Sequence, residues 1–291
     1  MNKIIKLGIP KGSLQDATIA LFKRSGWDIN VNGRSYFPDI NDDSISCALC
    51  RAQEMAINVE SGVIDAGLTG KDWIAEYQSD VHVVSDLVYS KVSARPARWV
   101  IAVAGNSSIN CLEDLDGKTI STELVRYTKR FFKERGIDVK VKFSWGATEA
   151  KIASGLADAI VEITETESTI RAHNLKVIYE IMQTNTQLIA NKEAWKDPAK
   201  KEKILQIALL LKGALAAGRL VGVKMNIPQS LIENIVALLP SLNAPTIAPL
   251  YHSDWFSVEI IVDSGVVRDL IPVLIKEGAE GIIEYPLNKV L

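Results

Sequence analysis

Cysteine and histidine are scarce in this chain, three of each in 291 residues. So few cysteines exclude a disulfide framework, and His82, His173 and His252 have no metal-ligand spacing. Cys47 and Cys50 do form a C-x-x-C, but they lie in SISCALCRA, a period-2 pattern in which residues three apart face opposite sides of a strand. With no second pair and no histidine nearby, they read as two ordinary half-buried cysteines. A basic surplus is also missing. The formal net charge is -2, which removes the electrostatic footprint of a nucleic-acid binder. Aromatic residues make up 7% and are scattered rather than interleaved with basic ones, so no base-stacking platform is visible. No apolar run approaches the ~20 residues that cross a bilayer. The run in the opening MNKIIKLGIPKGS is too short for a signal peptide, so no membrane association and a cytoplasmic location are expected. No Ser-His-Asp or Cys-His constellation is evident. The expected chemistry is therefore positioning and electrostatics, not a covalent nucleophile.

What is present is a globular composition, 47% hydrophobic and 23% charged, long enough for two or three domains. The first part alternates strands and helices: strand Lys3–Ile9, helix Leu14–Ser25, strand Ser44–Leu49, helix Ala52–Ser61 closed by Gly62, strand Val63–Leu68 and a helix from Asp72. Leu14, Ala17, Ala20 and Leu21 form the expected buried face of the first helix. A second unit begins near Trp99–Val103. It continues through strand Thr119–Ser121, helix Tyr127–Arg135, strand Val139–Phe143, helix Thr148–Ser154 and strand Ala159–Ile163. Val177–Met182 and Gln187–Asn191 read as strands running back toward the first unit. Two α/β lobes joined by a double crossover place a cleft at the C-terminal ends of the strands. Helix Lys200–Ala217 leads to a third unit with a βαββαβ, ferredoxin-like pattern: Leu220–Met225, Pro228–Leu239, Thr246–Leu250, Trp255–Val262, Val266–Glu277 and Gly281–Tyr285.

The richest segment is Gly155–Leu175, GLADAIVEITETESTIRAHNL. An apolar strand, a hydroxyl-rich turn and a helix opening near Ser168 make a phosphate cradle, because the first amides of a helix are unpaired donors. Other strand-to-helix junctions carry polar groups as well. Lys11, Gly12 and Ser13 follow the first strand, where Gly12 lets the backbone approach a ligand and Lys11 meets anionic oxygens. Their plain alternative is a turn with an N-cap serine. Arg51 and Gln53 stand at the next junction, and Arg51 suits a bidentate fork onto phosphate or carboxylate. The bland reading there is a surface arginine, with Glu54 complementing the helix dipole. Gly70 and Asp72 mark a third junction, with Asp72 as an N-cap on the plain reading. Glu123 and Tyr127 flank a fourth, and Thr148 and Glu149 a fifth. Each is weak alone; together they face one expected cleft.

These residues resemble the ATP phosphoribosyltransferase family in its long, histidine-regulated form. The segments that carry the resemblance are IPKGSLQDAT, RAQEMAINVESGVIDAGLTGKDW, RWVIAV, STELVRYTKRFFKERGI, GATEAKIASGLADAIVEITE, STIRAHNL, QLIAN, VGVKMNIPQSLI, LPSLNAPTIAPL and GAEGIIEYPLNK, running essentially end to end. The resemblance implies an α/β fold with a two-lobed, periplasmic-binding-protein-like catalytic core and a C-terminal ferredoxin-like, ACT-like domain. It implies lobe I at 1–97 and 183–212, lobe II at 98–182 and a regulatory domain at 213–291. The implied reaction joins adenine N1 of ATP to C1 of phosphoribosyl pyrophosphate and releases pyrophosphate, with Mg²⁺ carried by the phosphates and feedback inhibition by histidine. Lys11, Arg51 and Glu149 are the implied catalytic groups. Gly12, Ser13, Gln53, Gly70, Asp72, Glu123, Tyr127, Asp158, Glu162, Thr164, Glu165, Thr166, Glu167, Ser168 and Thr169 are the implied substrate-binding residues, with Glu162 and Glu165 near the ribose hydroxyls. Asn226, Thr246 and Gly281 are the implied effector contacts, and a homo-oligomer from dimer to hexamer is the implied assembly. The plain alternative for the third unit is a dimerisation module.

One position departs from the family pattern. Related loops read Thr-Glu-Thr-Gly-Ser-Thr, and here Glu167 stands where that glycine is expected. Glycine permits positive φ and close approach of a phosphate, whereas glutamate adds strain and like charge. Either the side chain tilts to solvent or phosphoribosyl pyrophosphate binding weakens, and weakening is the expectation. Two other functions fit a cleft of this kind: a solute-binding module, which the missing signal peptide disfavours, and a catalytically degenerate amino-acid or phosphometabolite sensor on the same fold.

Overall fold

The structure is a computed structural model that describes residues 4–291 apart from 32, 34, 90–95, 241 and 243. It divides into two compact units, Met1–Ala208 and Leu209–Leu291. In the first unit, one five-stranded sheet has the order Ile45–Arg51, Ile5–Lys11, Ala66–Gly70, Thr186–Ala190, His82–Leu87. The first three strands are parallel, and Thr186–Ala190 is antiparallel to both of its neighbours. The second sheet has the order Leu175–Thr184, Ala97–Ala104, Ala159–Thr164, Thr119–Thr122, Lys140–Phe143. The chain thus leaves the first sheet after Leu87, builds the second, and returns to insert Thr186–Ala190 into the first. The expected double crossover has this physical form.

Near-continuous apolar runs such as WVIAV and AIV are buried on both faces, as central strands of α/β sheets are. Trp99, Ile101, Leu115, Phe131 and Phe132 anchor one core of the second sheet; Val100, Ala102, Ile160 and Ile170 anchor the other. The first strand runs on through Pro10 and Lys11, which pair with Cys50 and Arg51. It begins at Ile5, and Lys3, the expected start, lies outside the described residues. The buried face of helix Gln15–Ser25 is Thr18, Leu21, Phe22 and Ser25. Ala20 is exposed, so the expected face is rotated slightly. The strand His82–Leu87 was not anticipated. It alternates partly buried and exposed positions at the edge of the sheet and has no long apolar run to mark it.

Two helices from different lobes cap each other. Helix Lys71–Tyr77 follows the strand Ala66–Gly70, and helix Val125–Lys133 follows Thr119–Thr122. The buried carboxylate of Glu76 accepts the amides of Arg126 and Tyr127 at 2.9 and 2.8 Å, which satisfies first-turn donors of the second helix. In return the Arg130 guanidinium donates to the carbonyls of Ala75 and Glu76 at the end of the first.

The second unit is a four-stranded antiparallel sheet in the order Thr246–Pro249, Trp255–Asp263, Leu220–Pro228, Glu280–Pro286. Helices Ile232–Val236 and Ser264–Lys276 complete the βαββαβ order. Val223, Met225, Ile227, Val258, Ile260 and Val262 alternate along the two central strands and pack with Ile235, Val267 and Leu274. The first of these helices is shorter than its periodicity predicts. Pro228 still pairs with Trp255, so the chain remains a strand there and then makes a 3₁₀ turn at Gln229–Leu231 before turning helical.

Candidate active site

The C-terminal ends of strands from both sheets of the first unit open onto one cavity of about 1300 Å³. Lys11, Gly12, Ser13, Arg51, Gln53, Gly70, Asp72, Glu123, Thr164 and Glu165 all line it. Each sits where a strand has just ended, so the sheets place these side chains and the loops only aim them. Gly12 adopts φ 111 with open space around it, so backbone conformation rather than crowding demands glycine. At Gly70 the demand is spatial, because a Cβ there would collide with the Asp72 carboxylate folding back beneath it.

Asp72 is not an N-cap. It is buried, its Oδ2 accepts the Trp99 indole N–H at 2.7 Å, and its backbone amide donates to Thr184 Oγ1 at 3.2 Å. Burial pushes its carboxyl above the usual range, against the lowering effect of hydrogen bonds to the carboxylate from the Trp99 and Thr184 side chains and the Trp73 amide. Glu123 is also raised by burial, opposed by hydrogen bonds from Gln53 and the Gly146 amide, with the charge of Asp72 adding to the rise. The Gln53 contact joins one lobe to the other.

The remaining expected residues fall elsewhere. Asp158 is at the wrong end of its strand. It precedes Ala159–Thr164 and accepts the Thr119 amide at 2.8 Å, so the full strand separates it from the loop at 164–168. Tyr127 packs against the core of the second sheet with its hydroxyl on the Ile181 carbonyl, apart from the cavity lining. Glu149 and Glu162 are not among the residues lining the cavity, and the charge of Glu149 acts on Glu162. Thr166, Glu167, Ser168 and Thr169 form the turn into the short helix Ser168–Ala172, next to the lining residues Thr164 and Glu165. In the second unit Asn226 and Gly281 are adjacent, since a Cβ on Gly281 would lie 3.2 Å from Asn226 Nδ2. Thr246 pairs with Glu259 on the far side of the strand that pairs with Asn226, so it stands two strands away.

Glu167 has φ 58, the left-handed conformation that the glycine of the family pattern would supply without strain. Its side chain does not tilt to solvent. It pairs with Arg98, which also holds Glu180 at 3.1 Å, and lies 3.8 Å from Arg171. Its amide donates to Thr164 Oγ1 at 2.8 Å, tightening the turn.

Glu162 carries a buried Oε2 with no hydrogen-bond partner among the described residues. Burial, then the neighbouring charge of Glu149, pushes its carboxyl up to about 7, against a hydrogen bond from Thr148. A carboxyl raised on folding stabilises the protein fully below its ordinary value of 4.5, and that contribution is lost as pH rises through about 7. Melting temperature measured from pH 5 to 8 is therefore expected to fall more steeply in the wild type than in Glu162→Gln. Parallel curves would contradict the assignment.

The sequence gives no sign of the aromatic residues at this site. Lys11 Nζ lies 4.0 Å above the Tyr36 ring, and the Arg51 guanidinium lies 4.6 Å from the Trp145 ring. Both aromatics line the cavity. A scattered distribution along the chain therefore hides two cation–π pairs in space. Among the described residues no group of three or more His, Cys, Asp or Glu is placed to hold a metal ion. No helix among the described residues is long and apolar enough to cross a membrane.

Comparison with known proteins agrees with this geometry. The family described as HisG, ATP phosphoribosyltransferase, matches residues 51–213, and the HisG C-terminal domain matches residues 217–289. The ATP phosphoribosyltransferase of Desulfosudis oleivorans is 75% identical over 291 residues, 100% of both chains. That of Desulfatibacillum aliphaticivorans is 70% identical, again over 100% of both chains. A solved ATP phosphoribosyl transferase HisG:HisZ complex from Thermotoga maritima contains a chain that superposes with a TM-score of 0.61 at 25% identity, covering 72% of this chain and 97% of that one.

Proposed function

The chain belongs to the ATP phosphoribosyltransferase family, and we propose from that premise how its residues divide the work. Its reaction is a pentosyl transfer, the first step of histidine biosynthesis, in which adenine N1 of ATP displaces pyrophosphate from C1 of phosphoribosyl pyrophosphate. The observation that supports the division is the single cavity lined by strand ends of both sheets. Two highly charged substrates need one wall each, and a displacement at an anomeric carbon needs alignment more than a protein nucleophile.

In this reading Thr164, Glu165, Thr166, Ser168 and Thr169 hold the ribose 5-phosphate side, with Glu162 supporting the strand beneath. Lys11, Gly12, Ser13 and Arg51 hold the phosphates from the opposite wall, where cations offset charge leaving with pyrophosphate. The carboxylates of Asp72 and Glu123, both at the cavity, favour the positive charge that develops on the ribose ring. Glu149 acts from behind, through its charge on Glu162. The family needs a divalent metal. We infer that it is Mg²⁺ arriving on the substrates' phosphates, whose oxygens are the ligands this hard cation prefers.

Residues 1–97 with 183–212, 98–182, and 213–291 would serve as two catalytic lobes and a regulatory domain. Histidine would bind near Asn226 and Gly281, with Thr246 reached only from a neighbouring subunit or not at all. A homo-oligomer, dimer to hexamer, would let histidine favour one arrangement over another. The location would be cytoplasmic. The direct test mixes the protein with ATP, phosphoribosyl pyrophosphate and Mg²⁺ and follows the absorbance rise of N1-substituted adenine with and without histidine. Turnover suppressed by histidine is expected. Folded protein without turnover would overturn the active-site assignment, and turnover indifferent to histidine would overturn the regulatory one.

A further inference from the structure

We propose that Trp145 is the purine platform of the cavity, and that Arg51 covers it until a nucleotide base takes its place. The inference rests on the reading of the cavity as a nucleotide site and adds which face grips the base. Of the chain's tryptophans, Trp27, Trp73 and Trp99 are buried at 9% exposure or less, while Trp145 is 61% exposed within the cavity lining. An indole left open to water forgoes the hydrophobic gain that buries Trp27, Trp73 and Trp99, so something other than packing accounts for its placement. The backbone beside it is unusual. Gly146 has φ 69, and Ala147, a residue with a side chain, has φ 49. A left-handed alanine is strained and persists where surrounding structure holds it.

The Arg51 guanidinium carbon already sits over this indole, 4.6 Å from the ring centroid. A planar cation that stacks on an aromatic face marks a surface that a planar base also fits. The base would replace the guanidinium, and the guanidinium so released would turn to the pyrophosphate group that this wall holds. Face stacking also suits the chemistry. The N1 lone pair lies in the plane of the adenine ring, so a grip on the face leaves that edge free to attack carbon.

The test uses the full chain with Trp145→Ala and Trp145→Phe. The Ala variant is expected to raise KM for ATP about tenfold while KM for phosphoribosyl pyrophosphate stays within about twofold, and Phe is expected to restore most of the loss. Separately, ATP is expected to quench tryptophan fluorescence of the wild type, inorganic tripolyphosphate is not, and the quench is expected to be lost in Trp145→Phe. This second readout needs no turnover, so failure of the catalytic reading and failure of the platform are distinguishable. Unchanged KM for ATP in a folded Ala variant, an equal rise in both KM values, or a quench by tripolyphosphate alone would overturn the proposal.

Discussion

Replacing Glu76 by Ala is expected to destabilise the protein by about 3 kcal/mol, one of the largest single-residue losses available outside the apolar core. The carboxylate is 4% exposed and accepts two amides, those of Arg126 and Tyr127, at 2.9 and 2.8 Å. Truncation strands both donors in a poorly solvated place, at roughly 1–3 kcal/mol each, and removes a negative charge from a helix N-terminus. A fall of roughly 6–12 °C in melting temperature follows. The consequence is also functional. The two helices joined here begin just after Gly70 and Glu123, which both line the cavity. Loosening the reciprocal caps therefore lets the two walls drift, and kcat/KM is expected to drop even at temperatures where the variant is folded. Arg130→Ala removes only the return contact to the carbonyls of Ala75 and Glu76 and is expected to cost about 1 kcal/mol. An Ala variant at Glu76 within about 1 kcal/mol of wild type in a urea titration would show that the helix is capped by other means.

The fold was legible where local signals agree. Apolar runs followed by turns at Gly12, Gly62 and Gly70 mark strand ends and helix closures without reference to the rest of the chain. The return of the chain to the first sheet was legible from the apolar Leu188, Ile189 and Ala190, which lie in the buried strand Thr186–Ala190. The βαββαβ order of the second unit was legible by alternation, as along Val223, Met225 and Ile227. Edge strand His82–Leu87 was not, since an edge needs no apolar run. Asp158 was misplaced for a related reason. The segment reads as one motif, yet six strand residues, Ala159–Thr164, rise roughly 20 Å and carry the two ends of the motif apart. The cation–π pair of Arg51 and Trp145 and the cap of Val125–Lys133 by Glu76 join residues distant along the chain. No periodicity or spacing encodes such contacts; they appear only once two lobes are folded against each other.

Replacing Glu167 by Gly is expected to lower KM for phosphoribosyl pyrophosphate by tenfold or more, with kcat little changed. Two electrostatic effects act on KM, and a conformational one acts on stability. Glutamate at φ 58 holds a backbone conformation that costs on the order of 1 kcal/mol for a residue with a side chain, and glycine removes that strain. Its carboxylate neutralises Arg98 and approaches Arg171 at 3.8 Å, so two cations beside the loop are engaged before any phosphate arrives. It also sets a negative charge next to the phosphate position, and two unit charges ~5 Å apart repel by roughly 1–3 kcal/mol at the effective dielectric of a partly exposed site. Tenfold in KM is about 1.4 kcal/mol, well within that sum. Stability is expected to move by less than about 1 kcal/mol, because the partly exposed ion pairs that are lost are worth little and the strain relieved offsets them. Glu167→Gln separates the causes. It removes the charge and keeps the left-handed side chain, so it is expected to recover most of the gain in KM and none of the relief of strain. A Gly variant with unchanged KM would show that the carboxylate is far enough from the phosphate to be indifferent. A raised KM would mean that the Arg98 pair holds the turn in its binding shape, and that glutamate has taken over by ion pairing what glycine does by conformation.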